Sequence, residues 1–167
     1  GMEYGVIKVV NGVDRARISN SICSTTPADD VKKLLQRDVR LYECHRRPGN
    51  DPALVLQLYR VFRRERPHIV HTHTAKAGTV GRSAGFLYRW LTPGTLIGKP
   101  RQCKFVHTYH GHVFHSYSAR RRTKVFLTIE RLLAKLATNR LIVVSKQQRS
   151  EIGEKFRVGR PKQFRVV

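Results

Sequence analysis

The sequence predicts an α/β domain in which a parallel sheet is covered by helices on both faces. Two observations carry that expectation. Short β-branched runs alternate with stretches whose apolar residues recur at helical spacing, the pattern of strand-helix-strand units. The 167 residues are 40% hydrophobic, enough to bury one core.

Taken in order, "EYGVIKVVNGV" (3–13) places Val6, Val9, Val10 and Val13 on a helix, and "ISNSIC" (18–23) follows as a strand. A helix over 28–36 leads to the strand "VRLYEC" (39–44). The next helix, "DPALVLQLYRVFRRERP", opens on an Asp-Pro start signal and stops at Pro67. Strand "HIVHT" (68–72), a helix over 75–90 and strand "KFVHTY" (104–109) come next, with "LTPGTLIGKPRQ" as the connecting loop. A helix over 119–138, strand "RLIVVS" (140–145), a helix over 146–155 and the strand "FRVV" complete the series. The chain opens into a helix with no strand before it and closes inside a strand. The expectation is one domain, 1–167, cut at both ends and lacking a first strand.

A formal charge of +22 and a pI near 11.1 point to polyanions: nucleic acid, an anionic bilayer or phosphorylated small molecules. Cys23, Cys44 and Cys103 show no CxxC spacing, so neither a zinc site nor a disulfide framework is expected, and a reducing cytoplasm is the default. No charged-then-apolar leader opens the sequence and no apolar run approaches the roughly 20 residues of a span. Any membrane contact would be made at the surface. Without an aromatic-rich RNA signature or zinc-finger spacing, nucleic acid is not expected as a partner.

The chemistry gathers in two runs. "IVHTHTAKAGTVGR" carries His71 and His73 at a strand end, then Lys76 and Arg82 in the following helix, beside helix-start amides that suit an anion. Ligands of parallel sheets bind at this carboxyl edge. Ala77, Gly81 and Gly85, four apart, leave a bare stripe that lets the helix pack closely on a neighbour. "FVHTYHGHVFHSYSARRR" puts His110, Gly111 and His112 just past a second strand end, where Gly111 lets backbone approach a ligand. From Arg66 through Ile129 no carboxylate occurs. A metal hydrolase using His71, His73, His110 and His112 would want a carboxylate as ligand or base, and Glu65 or Glu130 would have to come from elsewhere in the fold. Imidazoles and cations without acids suit a ligand that brings its own negative charge, a phosphate or diphosphate; no metal is expected.

Four blocks in order, "GMEYGVIKVVNGVDR", "RRERPHIVHTHTAKAGTVGR", "VHTYHGHVF" and "TIERLLAKLATNRLIVVSKQQRSEI", resemble the N-terminal domain of retaining glycosyltransferases of family 4 with the GT-B fold. The likeness is greatest to bacterial enzymes of exopolysaccharide and cell-surface glycan assembly. It implies a Rossmann-like half of a GT-B enzyme, with a nucleotide-sugar as substrate, no cofactor, a glycan or lipid-linked acceptor, and a second, donor-binding domain that carries an E-x7-E pair. It implies that Gly1, Met2 and Glu3 belong to a loop approaching phosphates or acceptor, and that His110 borders the donor sugar as the catalytic residue. Thr72, His73 and Lys76 would form the acceptor wall and Ser145 the opposite side of the cleft. His68 and Asn139 stand where such domains carry Asp, both as expected structural caps.

A third expectation concerns the surplus charge. Arg82, Arg89, Arg101, Lys104, Arg120, Arg121, Arg122 and Lys124 interleave with Phe86, Leu87, Trp90 and Leu91, which suits contact with an anionic membrane at the inner face of the plasma membrane.

Overall fold

The computed structural model describes residues 2–25, 28–36, 38–45, 51–111 and 120–167; the side chains of Met2, Glu3, Ala28, Asp29, Lys76, Arg120, Arg121 and Arg122 also lie outside the description. The chain forms two compact units, 1–61 and 62–167.

The first unit holds α1 (Met2–Gly12), β1 (Ser21–Ser24), α2 (Ala28–Lys32), β2 (Arg40–Glu43) and the start of α3 (Pro52–Glu65). β1 and β2 pair in parallel, Ser21 opposite Arg40 through Ser24 opposite Glu43. Ile7, Val31, Val39, Cys44 and Leu54 are buried. Asn11 fixes the turn after α2 through both ends of its amide, donating to Leu34 O at 2.8 Å and accepting from Gln36 N at 3.2 Å.

In the second unit come β3 (Ile69–His73), α4 (Ala75–Trp90), α5 (Pro93–Leu96), β4 (Lys104–Tyr109), α6 (Arg120–Leu136), β5 (Arg140–Val143), α7 (Lys146–Ser150), a π-helical turn (Glu151–Lys155), a 3-10 turn (Pro161–Gln163) and β6 (Phe164–Val166). The four strands are all parallel in the order β3-β4-β5-β6. Tyr109, Ala134, Leu141, Val143, Ile152, Val158 and Phe164 form its core, with Phe126, Leu127 and Phe156 against them. The strands thus fall into two parallel sheets flanked by helices, a Rossmann-like α/β arrangement.

The bare stripe of α4 is real but differs by one residue from its expected composition. Gly78, Gly81 and Gly85 form it, and Ala77 is exposed. A Cβ on Gly78 would strike the His107 ring, one on Gly85 the Phe105 ring, and one on Gly81 would lie 2.7 Å from Thr72 Cγ2. Spacings of three and four hold a face on a helix of 3.6 residues per turn, whereas repeated fours drift off it. α4 therefore lies directly on the face of β3 and β4 that carries Thr72, Phe105 and His107.

Asn139 clamps the amino ends of β4 and β5. Its Oδ1 accepts from Phe105 N at 2.9 Å and from Arg89 Nη2 at 2.6 Å, while its own N–H donates to Phe105 O at 2.7 Å. The expected structural role is the observed one.

Candidate active site

Parallel register aligns the carboxyl ends of β3, β4 and β5, with His73 opposite Thr108 and Tyr109 opposite Val143. Because side chains alternate along a strand, His71 and His73 share one face with Thr108, and Thr72 must point to the other. His71 Nε2 lies 2.7 Å from Thr108 Oγ1, and the His71 and His73 rings lie 4.1 Å apart between centroids, tilted by 38°. His73 Nδ1 meets His110 Nε2 at 3.0 Å. Three of the sequence-selected histidines are thus brought into one chain of rings.

These imidazoles are neutral at pH 7. Desolvation, then the fields of His71 and His110, lowers the His73 pKa to about 4. Desolvation and the field of His110 lower His71, and desolvation lowers His110. Two neutral rings sharing one hydrogen bond have a definite consequence. If His73 donates from Nδ1, its Nε2 is an acceptor and His110 keeps an N–H on Nδ1; if His110 donates, the roles reverse. Either way one outer ring nitrogen is a donor and the other an acceptor, at opposite ends of the pair.

Thr72 and Arg82 stand away from this surface. Thr72 is buried on the α4 side, its Oγ1 2.9 Å from His107 Nδ1 and 3.3 Å from Val106 O. It holds β3 to β4 rather than walling a pocket. Arg82 has 0% of its surface exposed. Its Nη2 forks onto Glu130 Oε1 and Oε2 at 2.6 and 2.7 Å, and its Nε donates to Gly78 O at 3.0 Å. It cannot contact a diphosphate from there. The carboxylate absent from the histidine runs does arrive, on α6, but inside the core and matched by a guanidinium.

His107, which the sequence did not single out, is fully buried over Gly78 with its pKa well below the usual histidine range, because burial and then the field of Arg82 disfavour the cation. Among the described residues its Nε2 has no hydrogen-bond partner.

Gly111 follows His110 with φ 78°, the left-handed conformation that glycine adopts without strain. With Val144, Ser145, Gln147 and Gln148 it lines a cleft of about 80 Å³. Ser145 caps α7, its Oγ accepting from Gln148 N at 3.0 Å. Gln148 joins the two strand ends: its Nε2 donates to Gly111 O at 2.7 Å and its Oε1 accepts from Val144 N at 2.9 Å. Sequence reasoning missed Gln148, although Ser145 followed three residues later by Gln is a helix-start signature. It also missed Thr74, the N-cap of α4, at φ 63° and ψ 157°, a region populated almost only by glycine.

Of the other selected residues, Gly1 and His112 lie outside the described residues, as do the side chains of Lys76, Met2 and Glu3; Met2 and Glu3 begin α1 in the first unit. Among the described residues no three His, Cys, Asp or Glu side chains are placed to hold a metal ion.

The sequence profile of Glycosyltransferase Family 4 matches residues 1–167. A UDP-Gal:alpha-D-GlcNAc-diphosphoundecaprenol alpha-1,3-galactosyltransferase of Escherichia coli is 33% identical over 99 residues, 59% of this chain and 22% of that protein. The chain therefore spans about a fifth of the length of that relative in the matched region. With strand-end histidines on a parallel Rossmann-like sheet and a family match along its whole length, the chain belongs to glycosyltransferase family 4.

Proposed function

We propose that this chain is the acceptor-side half of an enzyme that moves a sugar from a nucleotide-sugar to a hydroxyl of a glycan or lipid-linked acceptor, with retention at the anomeric carbon. The observation that carries the reading is the neutral His73–His110 pair at the ends of β3 and β4, which leaves one outer ring nitrogen as a donor and the other as an acceptor for separate polar groups of a ligand. The diphosphoundecaprenol in the relative's name supports a lipid-linked acceptor, and its UDP-Gal supports a nucleotide-sugar donor.

In this reading His110 hydrogen-bonds the donor sugar next to the reacting carbon, and the shared bond couples its tautomer to that of His73. The departing diphosphate helps deprotonate the acceptor hydroxyl on the same face. Because Arg82 is buried, the diphosphate charge must be met by helix-start amides, by Lys76 and by a second, donor-binding domain. Reaction at the inner face of the plasma membrane would fit an acceptor held by its lipid.

Incubation with a panel of nucleotide sugars, UDP-galactose among them, and diphosphoundecaprenol-linked acceptors tests the reading. The 167-residue chain alone should give no turnover, and the polypeptide that joins it to a donor-binding domain should transfer sugar with retention. Inverted product, or transfer by the isolated chain, would overturn it.

A further inference from the structure

His110 is an exposed residue just past the end of β4, and the sheet ladder stops short of it. The β3–β4 register ends at His73 opposite Thr108, and the β4–β5 register ends at Tyr109 opposite Val143. Beyond them comes Gly111 at φ 78°, the residue type that restricts its own backbone least. A ring carried on such a turn keeps its 3.0 Å contact with His73 Nδ1 only if something fixes the backbone under it.

Gln148 supplies that fixture. Its Nε2 donates to Gly111 O and its Oε1 accepts from Val144 N, so one carboxamide spans the two chain ends just beyond the last ladder pair, Tyr109 and Val143. It acts as a peptide group inserted between the strands, giving an N–H to the β4 side and a C=O to the β5 side. Its own main chain is held by Ser145 Oγ, and the residue is only 5% exposed. A buried amide is tolerated when its polar atoms are bonded, and a fully bonded one fixes geometry as an apolar side chain does not. A methionine would fill the same space on α7 but could not join Gly111 to Val144. Gln163 offers a comparison at the other end of the sheet. It is as buried, its Nε2 donates to Ala134 O at 2.9 Å and Thr138 O at 2.7 Å, and its Oε1 accepts from Arg160 N at 2.8 Å. Those bonds fasten α6 to the start of β6, at the amino ends of β5 and β6.

We propose that Gln148 is a positioning residue for sugar transfer: by tying Gly111 O to Val144 N it sets the His110 ring against His73 and toward the donor sugar. It acts through His110 rather than on the substrate itself. The catalytic half of this inference rests on the transferase reading, whereas the placement of the His110 ring does not.

The nitrogen–nitrogen coupling carried by the His73–His110 hydrogen bond, measured by magnetic resonance on the nitrogen-15 labelled 167-residue chain, tests the placement. The parent and Gln163→Met should show it, and Gln148→Met should lose it. Gln148→Glu, isosteric but with an oxygen facing Gly111 O, should lose it too. Thermal unfolding confirms that the variants fold and that the two methionine variants are destabilised alike. Coupling absent from the parent, kept in both Gln148 variants, or lost equally in Gln163→Met would overturn the placement. In the two-domain polypeptide, with whichever nucleotide sugar of the panel the parent turns over, Gln148→Met should lower kcat about tenfold to a hundredfold, the scale of a small misplacement at the reacting centre. It should raise KM less than about threefold, and Gln163→Met should keep kcat near that of the parent. Loss of the coupling with kcat unchanged would overturn the catalytic half. The expected couplings with no transfer by any version, the parent included, would instead sink the transferase reading and leave the placement standing.

Discussion

The phenol of Tyr109, the last residue of β4, donates to Glu130 Oε2 at 2.7 Å, and thereby fastens the strand that delivers His110 to the middle of α6. Arg82 from α4 and the hydroxyl of Thr79 complete the set around the same carboxylate. Both charges have 0% side-chain exposure, so each depends on the other for its tolerance inside the core.

Breaking that set from one side should therefore be severe. Glu130→Gln or Arg82→Met is expected to cost roughly 3–5 kcal/mol, because each leaves a buried group unmatched. Tyr109→Phe, which removes one charge-assisted bond without changing shape, should cost about 1.5–3 kcal/mol. Urea unfolding checks both. Single substitutions costing no more than an exposed change would remove the network from the account.

The histidines give a pH dependence with a defined sign. His73 has its folded pKa lowered to about 4, against about 6.5 unfolded, so between these values the unfolded chain holds a proton that the native state does not. Stability should be flat above pH 7 and fall as pH drops from about 6.5 toward about 4, with His107 adding in the same direction. Denaturation midpoints measured across this range should show the fall, and His73→Gln should make it shallower. An unchanged midpoint between pH 7 and 5 would contradict neutral burial.

Two glycines should respond to alanine with opposite signs. Gly85→Ala puts a methyl into the Phe105 ring and should destabilise by about 1–3 kcal/mol. Gly5→Ala, in α1 with nothing within 4 Å of the new Cβ, should stabilise by roughly 0.5–1 kcal/mol. Thermal unfolding of the two variants separates a packing stripe from ordinary helical glycine.

Thr74 combines a favourable side chain with an unfavourable backbone. Its Oγ1 accepts from Ala77 N at 3.3 Å, while φ 63° is strained for a β-branched residue. Thr74→Gly relieves roughly 1–3 kcal/mol of strain and loses only a few tenths from the cap, whereas Thr74→Ala loses about 1 kcal/mol of capping and keeps the strain. The glycine variant should thus be the more stable of the two by at least about 1 kcal/mol. A more stable alanine variant would show the backbone to be unstrained.

Much of the fold could be read from periodicity. β4 runs from Lys104 to Tyr109 and α4 from Ala75 to Trp90, the bounds the apolar pattern suggests. The helix Pro93–Leu96 was hidden because Pro and Gly in "LTPGTLIGKP" signal a loop, and a Thr92 cap makes one turn from it. At the site, residue type was legible and direction was not. His71 and His73 imply that Thr72 faces away, yet a threonine beside histidines invites assignment to the same pocket. Arg82 resembled a ligand cation because its partner, Glu130, lies 48 positions away in the sequence. Such pairings depend on how α4 and α6 pack, which no local pattern encodes.

Sugar transfer by His110→Ala, set beside His68→Ala in the two-domain polypeptide of the proposed reading, decides whether the strand-end histidines act in the reaction. His110 touches His73 at the carboxyl edge of the sheet, whereas His68 is an exposed residue at the opposite end of β3. We expect His110→Ala to lower the rate by about two orders of magnitude with the fold retained, the scale for loss of one preorganised hydrogen-bonding group, and His68→Ala to stay near the parent rate. Equal rates in the two variants would contradict this role for His110.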